Sequence, residues 1–312
     1  MEKKKIKNFL EELSKKFEVF DVRKNILPPK EYFFPPREEI FNFKKNDKVV
    51  SIPKPPKNFV IFGLNLEDLE AITQLDEIMK KPEQDFFYCQ RRKTAILIGL
   101  AESSIKIPTG GDIILEKINS REYRALILTV RGEKIAKSKF FKRNKNPKIK
   151  NYPPKPSPME KLKELLLNPE FLSDAISWSF ENDSKVWEEL GKICLGCGIC
   201  TYVCPLCYCF FADDRVNIDG KSCSRLRQWD ACTLPDFAKV SGGHDFHPTL
   251  KERYYNWFYH KFVRGYKEYG KSLCVACGRC KKYCPARIDI ETWILKIIKD
   301  YEKSQLASPL LG

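Results

Sequence analysis

Cysteine is the residue type whose number and spacing carry the clearest chemical signal in this sequence. Thirteen cysteines are present, and twelve of them follow residue 190. Eight of these form two matching runs, in which three cysteines recur at every third position and a fourth precedes a proline. This spacing is typical of the ligands of [4Fe–4S] clusters. The runs are Cys194-x2-Cys197-x2-Cys200-x3-Cys204-Pro205 and Cys274-x2-Cys277-x2-Cys280-x3-Cys284-Pro285.

The spacing within each run has a physical reason. Three thiolates at two-residue intervals on a tight loop reach three irons of one cubane, and the cysteine before proline ligates the other cluster. Gly196, Gly198 and Gly278 allow the backbone to approach the cluster closely. We therefore predict two [4Fe–4S] clusters with crossed ligands. Cluster one takes Cys194, Cys197, Cys200 and Cys284, and cluster two takes Cys274, Cys277, Cys280 and Cys204.

A pair of structural zinc sites is the alternative use of these eight cysteines. Zinc ribbons use two Cys-x2-Cys pairs that are separated by a longer loop. Each run here is instead an unbroken set of four cysteines that ends in Cys-Pro. Nor do the runs match the Cys-x3-Cys-x2-Cys spacing of radical-generating clusters. We therefore favour two neighbouring clusters that act as a conduit, in which electrons enter at one cluster and leave at the other.

The segment between the two runs, about 70 residues long, holds four further cysteines. A small ferredoxin has a much shorter connection at this point. One interpretation is that these cysteines are buried in packing contacts, as cysteines outside metal sites commonly are. The other is a third metal or cluster site. Its candidate ligands are Cys207, Cys209 and Cys232, with His244, His247 or His260 as a fourth.

Length and composition indicate a globular protein with room for two domains. The chain has 312 residues, of which 43% are hydrophobic and 31% charged, so wholesale disorder is excluded. The longest apolar run, residues 95–100, is far shorter than the roughly 20 residues that a membrane-spanning helix needs. No apolar signal-peptide core follows the basic N-terminus. We therefore expect a cytoplasmic protein without a membrane span, whose cysteines ligate metal rather than form disulfides.

The charge is strongly positive, with a formal net value of +15. Part of it is concentrated in residues 131–164, which hold 12 Lys and Arg against 3 Glu. One interpretation of this segment is a solvated surface, and the other is a docking face for an acidic partner or an acidic electron carrier. Nucleic-acid binding is a third interpretation. In the insert, Arg253, Lys261 and Arg264 could either offset the charge of a reduced cluster or form a solvated helix face.

Periodicity predicts an N-terminal α/β domain over residues 1–150. Apolar residues recur at helical spacing in residues 1–20, and residues 66–79 form a second predicted helix. Buried strands are predicted at 58–63, 94–100 and 123–130. A hairpin turn is predicted at Arg131-Gly132-Glu133. Residues 151–158 contain four prolines and form a predicted linker.

The sequence pattern of residues 159–312 predicts a mostly helical domain. Helices are expected at 159–166 and 169–193, in an insert near 248–268, and at 290–301. The fold class is therefore α+β. An N-terminal α/β domain precedes a helical C-terminal domain that contains a ferredoxin-like dicluster [4Fe–4S] module with a long insert.

The segments around the two runs resemble a known family. They are residues 194–209, 227–232, 242–246 and 274–280, in this order. This pattern is similar to the iron–sulfur β subunit of soluble sulfhydrogenases, which are NAD(P)-linked [NiFe] hydrogenases, and equally to an iron–sulfur subunit of anaerobic sulfite reductase. Upstream, residues 62–72 resemble a strand–loop–helix of the family. Many relatives carry cysteines there, where this chain has Glu67.

The resemblance implies a hetero-oligomer in which this subunit relays electrons. Its partners would be a flavin- and NAD(P)-binding subunit and the [NiFe] hydrogenase subunits. The chain has no GxGxxG or GxxxxGK[ST] nucleotide loop and lacks the paired cysteine motifs of a nickel-binding subunit. We therefore assign no catalytic residue to it.

Two alternatives to this function stay open at this point. The first is the same relay in an anaerobic sulfite reductase or another flavin-linked reductase. The second, from another class, is a zinc-containing nucleic-acid-binding protein. We favour the relay, and with it we expect no nucleic-acid partner.

Overall fold

A computed structural model of the protein describes residues 1–44, 51–54, 56–103, 105, 110–142, 156–216, 218 and 220–307. The chain divides into two compact units. Unit 1 comprises Met1–Pro156 and Asp213–Arg227, and unit 2 comprises Ser157–Ala212 and Gln228–Gly312. Residues 213–227 thus group with unit 1, although we expected them in the C-terminal domain. The predicted boundaries at residues 150 and 159 stay a prediction, and residues 151–155 of the predicted linker lie outside the described part of the chain.

A mostly parallel sheet lies at the centre of unit 1. The strands in this part of the chain are β1 (Glu18–Asp21), β2 (Arg37–Lys44), β3 (Phe59–Leu64), β4 (Ala95–Ala101), β5 (Ile113–Lys117) and β6 (Tyr123–Ile127). The sheet has the order β1-β3-β4-β5-β6, in which β6 is antiparallel to β5 and the other pairs are parallel. The side chains of β3 and β4 are almost all buried. Strands that are buried on both faces do not alternate between apolar and polar residues. This explains why β3 and β4 appear in the sequence as apolar runs.

In the described residues of this part of the chain, four α-helices accompany the sheet: α1 (Ile6–Ser14), α2 (Leu66–Ile78), α3 (Phe86–Thr94) and α4 (Val130–Ala136). The buried face of α1 presents Ile6, Phe9 and Leu13 to a core that includes Val60 of β3. The side chain of Asn65 accepts a hydrogen bond from the N–H of Asp68 at 2.7 Å and so caps the start of α2. The predicted α/β character of the N-terminal part is confirmed.

The predicted hairpin turn at Arg131-Gly132-Glu133 is wrong, because these residues lie in α4. Thr129 caps this helix by accepting a hydrogen bond from the N–H of Gly132 at 3.1 Å. Gly132 serves close packing, since a Cβ at this position would lie 2.3 Å from the carbonyl oxygen of Asp112. A glycine required by packing cannot be distinguished by sequence alone from a glycine required by a turn.

A second sheet with the order β2-β8-β7 contains two strands from the insert, β7 (Phe210–Val216) and β8 (Ser222–Trp229). In unit 1, Arg227 of β8 is buried among charges. Its Nε donates to Glu38 Oε1 at 2.7 Å, and its guanidinium also pairs with Asp85. Arg91 pairs with the other oxygen of Glu38 at 2.5 Å. This buried network attaches the insert strand to the N-terminal part of the chain.

Unit 2 is mostly helical. Residues 182–184 break the predicted helix at 169–193, because Asp183 has φ 48° and the side chain of Ser184 caps the next helix. The insert helix predicted near 248–268 is present and contains a π-helical turn at Tyr259–Arg264. The helices are α5 (Glu160–Leu165), α6 (Pro169–Glu181), α7 (Lys185–Ile193), α8 (Ile199–Tyr202), α9 (Leu250–Phe258), α10 (Gly265–Tyr269), α11 (Arg279–Lys282) and α12 (Ile290–Ala307).

Aromatic side chains hold α7 against α9 in unit 2. Trp187 of α7 meets Tyr255 edge-on at a centroid distance of 5.0 Å and Phe258 at 5.2 Å. Trp187 and Phe258 have no exposed surface. Because Cys194 directly follows α7, this packing positions the start of the first cysteine run.

Among the described residues, no helix combines the length and apolar character needed to span a bilayer. The expected cytoplasmic location stays a prediction.

Replacing Arg227 with alanine is expected to destabilise unit 1. The substitution removes one of the two arginines that pair with the buried carboxylate of Glu38, and Asp85 loses its ion pair with Arg227. Breaking a buried ion pair from one side costs about 3–5 kcal/mol. Chemical denaturation of the full chain should show a loss of this size in the free energy of unfolding.

Arg225→Ala is the matched control, because Arg225 lies two residues away and pairs with Asp214 at the surface. Its effect on the free energy of unfolding should be far smaller, since solvent screens an exposed pair. Equal losses for the two variants would contradict the importance of the buried network.

Candidate iron–sulfur site

Each cysteine run folds into a loop followed by one helical turn. In both runs the third cysteine lies in this turn, which is α8 in the first run and α11 in the second. The residue before the turn is left-handed, with φ 74° at Gly198 and φ 71° at Gly278. A Cβ at Gly278 would also lie 2.8 Å from the Cβ of Pro158. The two runs therefore have matching backbone structure as well as matching sequence.

The eight cysteines gather around two cavities within unit 2, which we name cavity A and cavity B. Each cavity is lined by three cysteines of one run and the last cysteine of the other, and cavity A has Cys280 in its lining as well. Cys280 lines both cavities, so the two adjoin. Cavity A is lined by Cys194, Cys197, Cys200 and Cys284, and cavity B by Cys274, Cys277, Cys280 and Cys204.

Backbone N–H groups point at several of these sulfur atoms. The N–H of Gly196 donates to Cys194 Sγ at 3.4 Å, and the N–H of Ala276 donates to Cys274 Sγ at 3.5 Å. These two bonds occupy the same place in the two runs. Further N–H groups donate to Cys204 and Cys284 at 3.4 and 3.3 Å. Such donors stabilise thiolate charge and help to tune cluster potentials.

Burial raises the pKa of several thiols that line the two cavities. It raises the pKa of Cys200 to about 12 and that of Cys274 to about 11, and it also raises the pKa of Cys194 and Cys280. Without a cation these thiols would be neutral near pH 7, because low polarity disfavours their charged form. Iron bound by these cysteines would supply the positive charge that a buried thiolate needs.

Lys261 is buried beside cavity B, with 4% of its surface exposed. Its Nζ donates to Cys204 Sγ at 3.0 Å and to the carbonyl oxygen of Leu273 at 3.2 Å. The ammonium also lies 5.2 Å from the ring centre of Trp257. Burial by itself would lower the pKa of Lys261, but the negative charge of the Cys204 and Cys207 thiolates raises it well above its usual value. Lys261 is therefore a fixed positive charge next to one sulfur of cavity B.

The chemistry of the two linings fits iron–sulfur clusters. Among the described residues, neither lining contains a carboxylate or an imidazole; the polar groups around the thiols are hydroxyls, backbone groups, the indole N–H of Trp257 and the ammonium of Lys261. Four soft thiolate donors in a mainly apolar cavity are the ligands that a [4Fe–4S] cluster takes. The residues that would hold iron–sulfur clusters here are the eight cysteines of the two runs.

Comparison with known proteins agrees with this chemistry. Residues 193–288 match the 4Fe–4S dicluster domain. The chain is 31% identical over 295 residues to the protein named sulfhydrogenase 2 subunit beta from Pyrococcus furiosus, a match that covers 90% of this chain and 84% of the relative. The chain belongs to the sulfhydrogenase β-subunit family. No solved structure gives a significant match to it.

Family membership confirms the resemblance that the cysteine runs and their flanking segments indicated. It identifies this member of the sulfhydrogenase β-subunit family as an iron–sulfur protein of electron transfer, with its dicluster domain in the C-terminal part. The predicted fold class is confirmed with it. Unit 1 is an α/β structure, and the dicluster domain spans the insert and both runs.

A third group of ligand-type side chains lies beside cavity B in this family member. Cys209, Cys232 and His260 have ligand atoms that all lie within 4.8 Å of one another. These three residues line a further cavity next to cavity B, and Cys207 also lines it. Of the three cysteines predicted for a third site, Cys209 and Cys232 lie together with His260, whereas Cys207 lies outside this group.

The other two candidate histidines are placed elsewhere. His244 is exposed and packs edge-on against Phe246 at a centroid distance of 4.7 Å. His247 is half-buried, which lowers its pKa. Its backbone N–H donates to Asp245 Oδ1 at 2.9 Å. Neither belongs to the group around Cys232.

Sequence reasoning could not separate Lys261 from Arg253 and Arg264, the other two cations that could offset cluster charge. Only the folded chain shows that Lys261 contacts a cavity thiol, while Arg264 pairs with Glu268 near the surface. The π-helical turn that carries Lys261 has no clear sequence signal, and π-turns are frequent at functional sites.

Proposed function

We propose that this chain is the electron-transfer subunit of an NAD(P)-linked [NiFe] hydrogenase. In this proposal two [4Fe–4S] clusters pass electrons between a flavin- and NAD(P)-binding subunit and the hydrogenase subunits. The observation that carries it is the gathering of eight cysteines into two crossed sets of four around adjoining cavities. Because Cys280 lines both cavities, clusters bound there would be close neighbours, as a conduit requires.

The crossed ligand sets are part of this proposal. Cluster one would be held by the cysteines of cavity A, and cluster two by the cysteines of cavity B. Each cluster then draws its last ligand from the other run, so neither run can form its site alone. This arrangement links the two clusters mechanically and keeps the electron path between them short.

Exposure differs between the two sites in a way that suits a relay. Cys197 of cavity A is exposed, and neighbouring Leu195 has 65% of its surface exposed. A partner subunit could therefore approach the cluster of cavity A closely. An exposed apolar side chain beside a redox centre is also a suitable contact for such a partner. We infer that cavity A faces one electron-exchange partner.

The family supports the choice of partner enzyme. The relative from Pyrococcus furiosus is named as a sulfhydrogenase subunit, and a β subunit of such an enzyme works within a hetero-oligomer. The absence of a nucleotide loop from this sequence is consistent with a flavin and NAD(P) site in another subunit. Family membership favours this relay over the nucleic-acid-binding alternative.

Anaerobic purification of the complex from its source tests the proposed function. The chain should copurify with a nickel-binding subunit and a flavin subunit, and addition of H2 should bleach iron–sulfur absorption near about 400 nm. The isolated chain should hold about eight irons. Copurification with a sirohaem protein would instead support a sulfite reductase, and a chain without iron would overturn the relay altogether.

Serine variants test the crossed ligands by comparison of spectra. If Cys204 ligates the cluster of cavity B, EPR of Cys204→Ser should show the same altered cluster as Cys277→Ser. By the same reasoning, Cys284→Ser should match Cys197→Ser. If each run held its own cluster, Cys204→Ser would instead resemble Cys197→Ser, and the crossed arrangement would be wrong.

Replacing Lys261 with methionine is expected to lower the reduction potential of the cluster in cavity B. A reduced cluster carries an additional negative charge, and the buried ammonium stabilises that charge. Coulomb's law at an effective dielectric constant of about 20 gives a decrease of roughly 50–150 mV. Redox titration followed by EPR measures the potentials of both clusters.

Arg264→Met is the matched control, because Arg264 lies on the same π-helical turn but pairs with Glu268 near the surface. Its effect should be much smaller, since solvent screens an exposed charge. A larger change in the reduction potential of the cluster in cavity A than in that of the cluster in cavity B would contradict the role given to Lys261.

A further inference from the structure

Three side chains that are distant in sequence converge beside cavity B. Cys209 lies between the first run and β7, Cys232 follows β8, and His260 lies on the π-helical turn. Their ligand atoms lie within 4.8 Å of one another, and within the described residues no other group of three or more His, Cys, Asp or Glu meets this condition. All three residues belong to unit 2. The group is separate from the eight cysteines of the two runs.

The distances match the edges of a tetrahedron around one metal ion. Cys209 Sγ lies 3.6 Å from Cys232 Sγ, and Cys232 Sγ lies 3.3 Å from His260 Nδ1. Around tetrahedral zinc, two thiolate sulfurs are separated by about 3.8 Å, and a sulfur and an imidazole nitrogen by about 3.6 Å. Both observed distances are within a few tenths of an ångström of these values.

The same distances are too short for a cubane. Sulfur ligands on different irons of a [4Fe–4S] cluster lie about 6 Å apart, because each binds a separate corner. In the part of the chain that the structure describes, the cysteines of cavities A and B do not form groups with all ligand atoms within 4.8 Å, whereas Cys209, Cys232 and His260 do. Spacing therefore separates this group from the two cluster sites.

The backbone supports this arrangement. The N–H of Asp230 donates to the carbonyl oxygen of Cys209 at 3.0 Å, which fixes the two ends of the insert hairpin next to each other. Cys232 has 1% of its surface exposed. A ligand group held by a backbone hydrogen bond and a buried position is already organised for binding before the metal arrives.

A cavity of about 220 Å³ opens beside the three ligands. Most of its lining is apolar, with Leu206, Phe237, Trp257 and Leu273, and Cys207 also lines it. Lys261 and Arg264 add positive charge to the wall. A metal with only three protein ligands keeps a fourth position for water or another ligand, and this cavity provides space for it.

We propose that Cys209, Cys232 and His260 bind a single Zn²⁺ ion, with a fourth position that faces this cavity. Two thiolates and one divalent cation are neutral together, so the site can be buried without an uncompensated charge. Thiolate and imidazole ligands in a tetrahedral arrangement suit zinc. The positive wall of the cavity favours water or a small anion at the fourth position. The site goes beyond the proposed relay and does not depend on it.

Metal analysis of the full-length chain tests this site. The protein is isolated anaerobically, treated with EDTA to remove loosely bound metal, and analysed for zinc and iron. We expect about one zinc per chain beside the iron of the clusters. Cys209→Ser and His260→Gln should each lower zinc content about tenfold and leave iron unchanged. Both residues are half-buried, and the retained iron shows that unit 2 is folded.

Cys223→Ser is the matched control, because Cys223 belongs to the same insert but lies outside the group. It should keep both metals. Zinc absorption spectroscopy of the wild type should show two sulfurs at about 2.3 Å and a nitrogen at about 2.0–2.1 Å. A chain without zinc, equal zinc in all variants, or a loss of about four irons in Cys209→Ser, as expected for a third cubane, would overturn the proposal.

Discussion

The structure of unit 2 depends on the meeting of two cysteine runs that are separated by about 70 residues. Each cavity is completed by the last cysteine of the other run, so neither set of four exists unless both loops lie side by side. Helices precede and follow these loops. Packing of α7 on α9 positions the first loop, and α12 begins at Ile290, a short segment after Cys284 of the second loop.

Electrostatics explains why such a site needs its metal. Burial raises the pKa of Cys200 and Cys274, so the thiols resist ionisation until a cation arrives. The protein supplies one positive charge itself, because Lys261 donates to Cys204 Sγ from a buried position. The ammonium lines cavity B and contacts a thiol there, which gives the two sites of this sulfhydrogenase β-family member different electrostatic surroundings.

The insert between the runs has two structural roles. Its hairpin segment belongs to unit 1, where Arg227 joins Glu38 and Asp85 in a buried charge network. Its remaining residues return to unit 2 and bring Cys232 next to Cys209 and His260. A small ferredoxin has no comparable segment. The insert therefore accounts both for the second sheet and for the ligand group beside cavity B.

The sequence by itself determined the class of cofactor chemistry and much of the local structure. The spacing of the two runs predicted iron–sulfur chemistry, which the match to the dicluster domain confirms, and apolar periodicity located β3, β4 and α2, because these signals are local or repeat at fixed intervals. Only the tertiary structure decided which histidine joins Cys209 and Cys232, which lysine contacts Cys204, and that Gly132 packs inside a helix. These facts depend on approaches between residues far apart in the chain, and no local pattern encodes such distances.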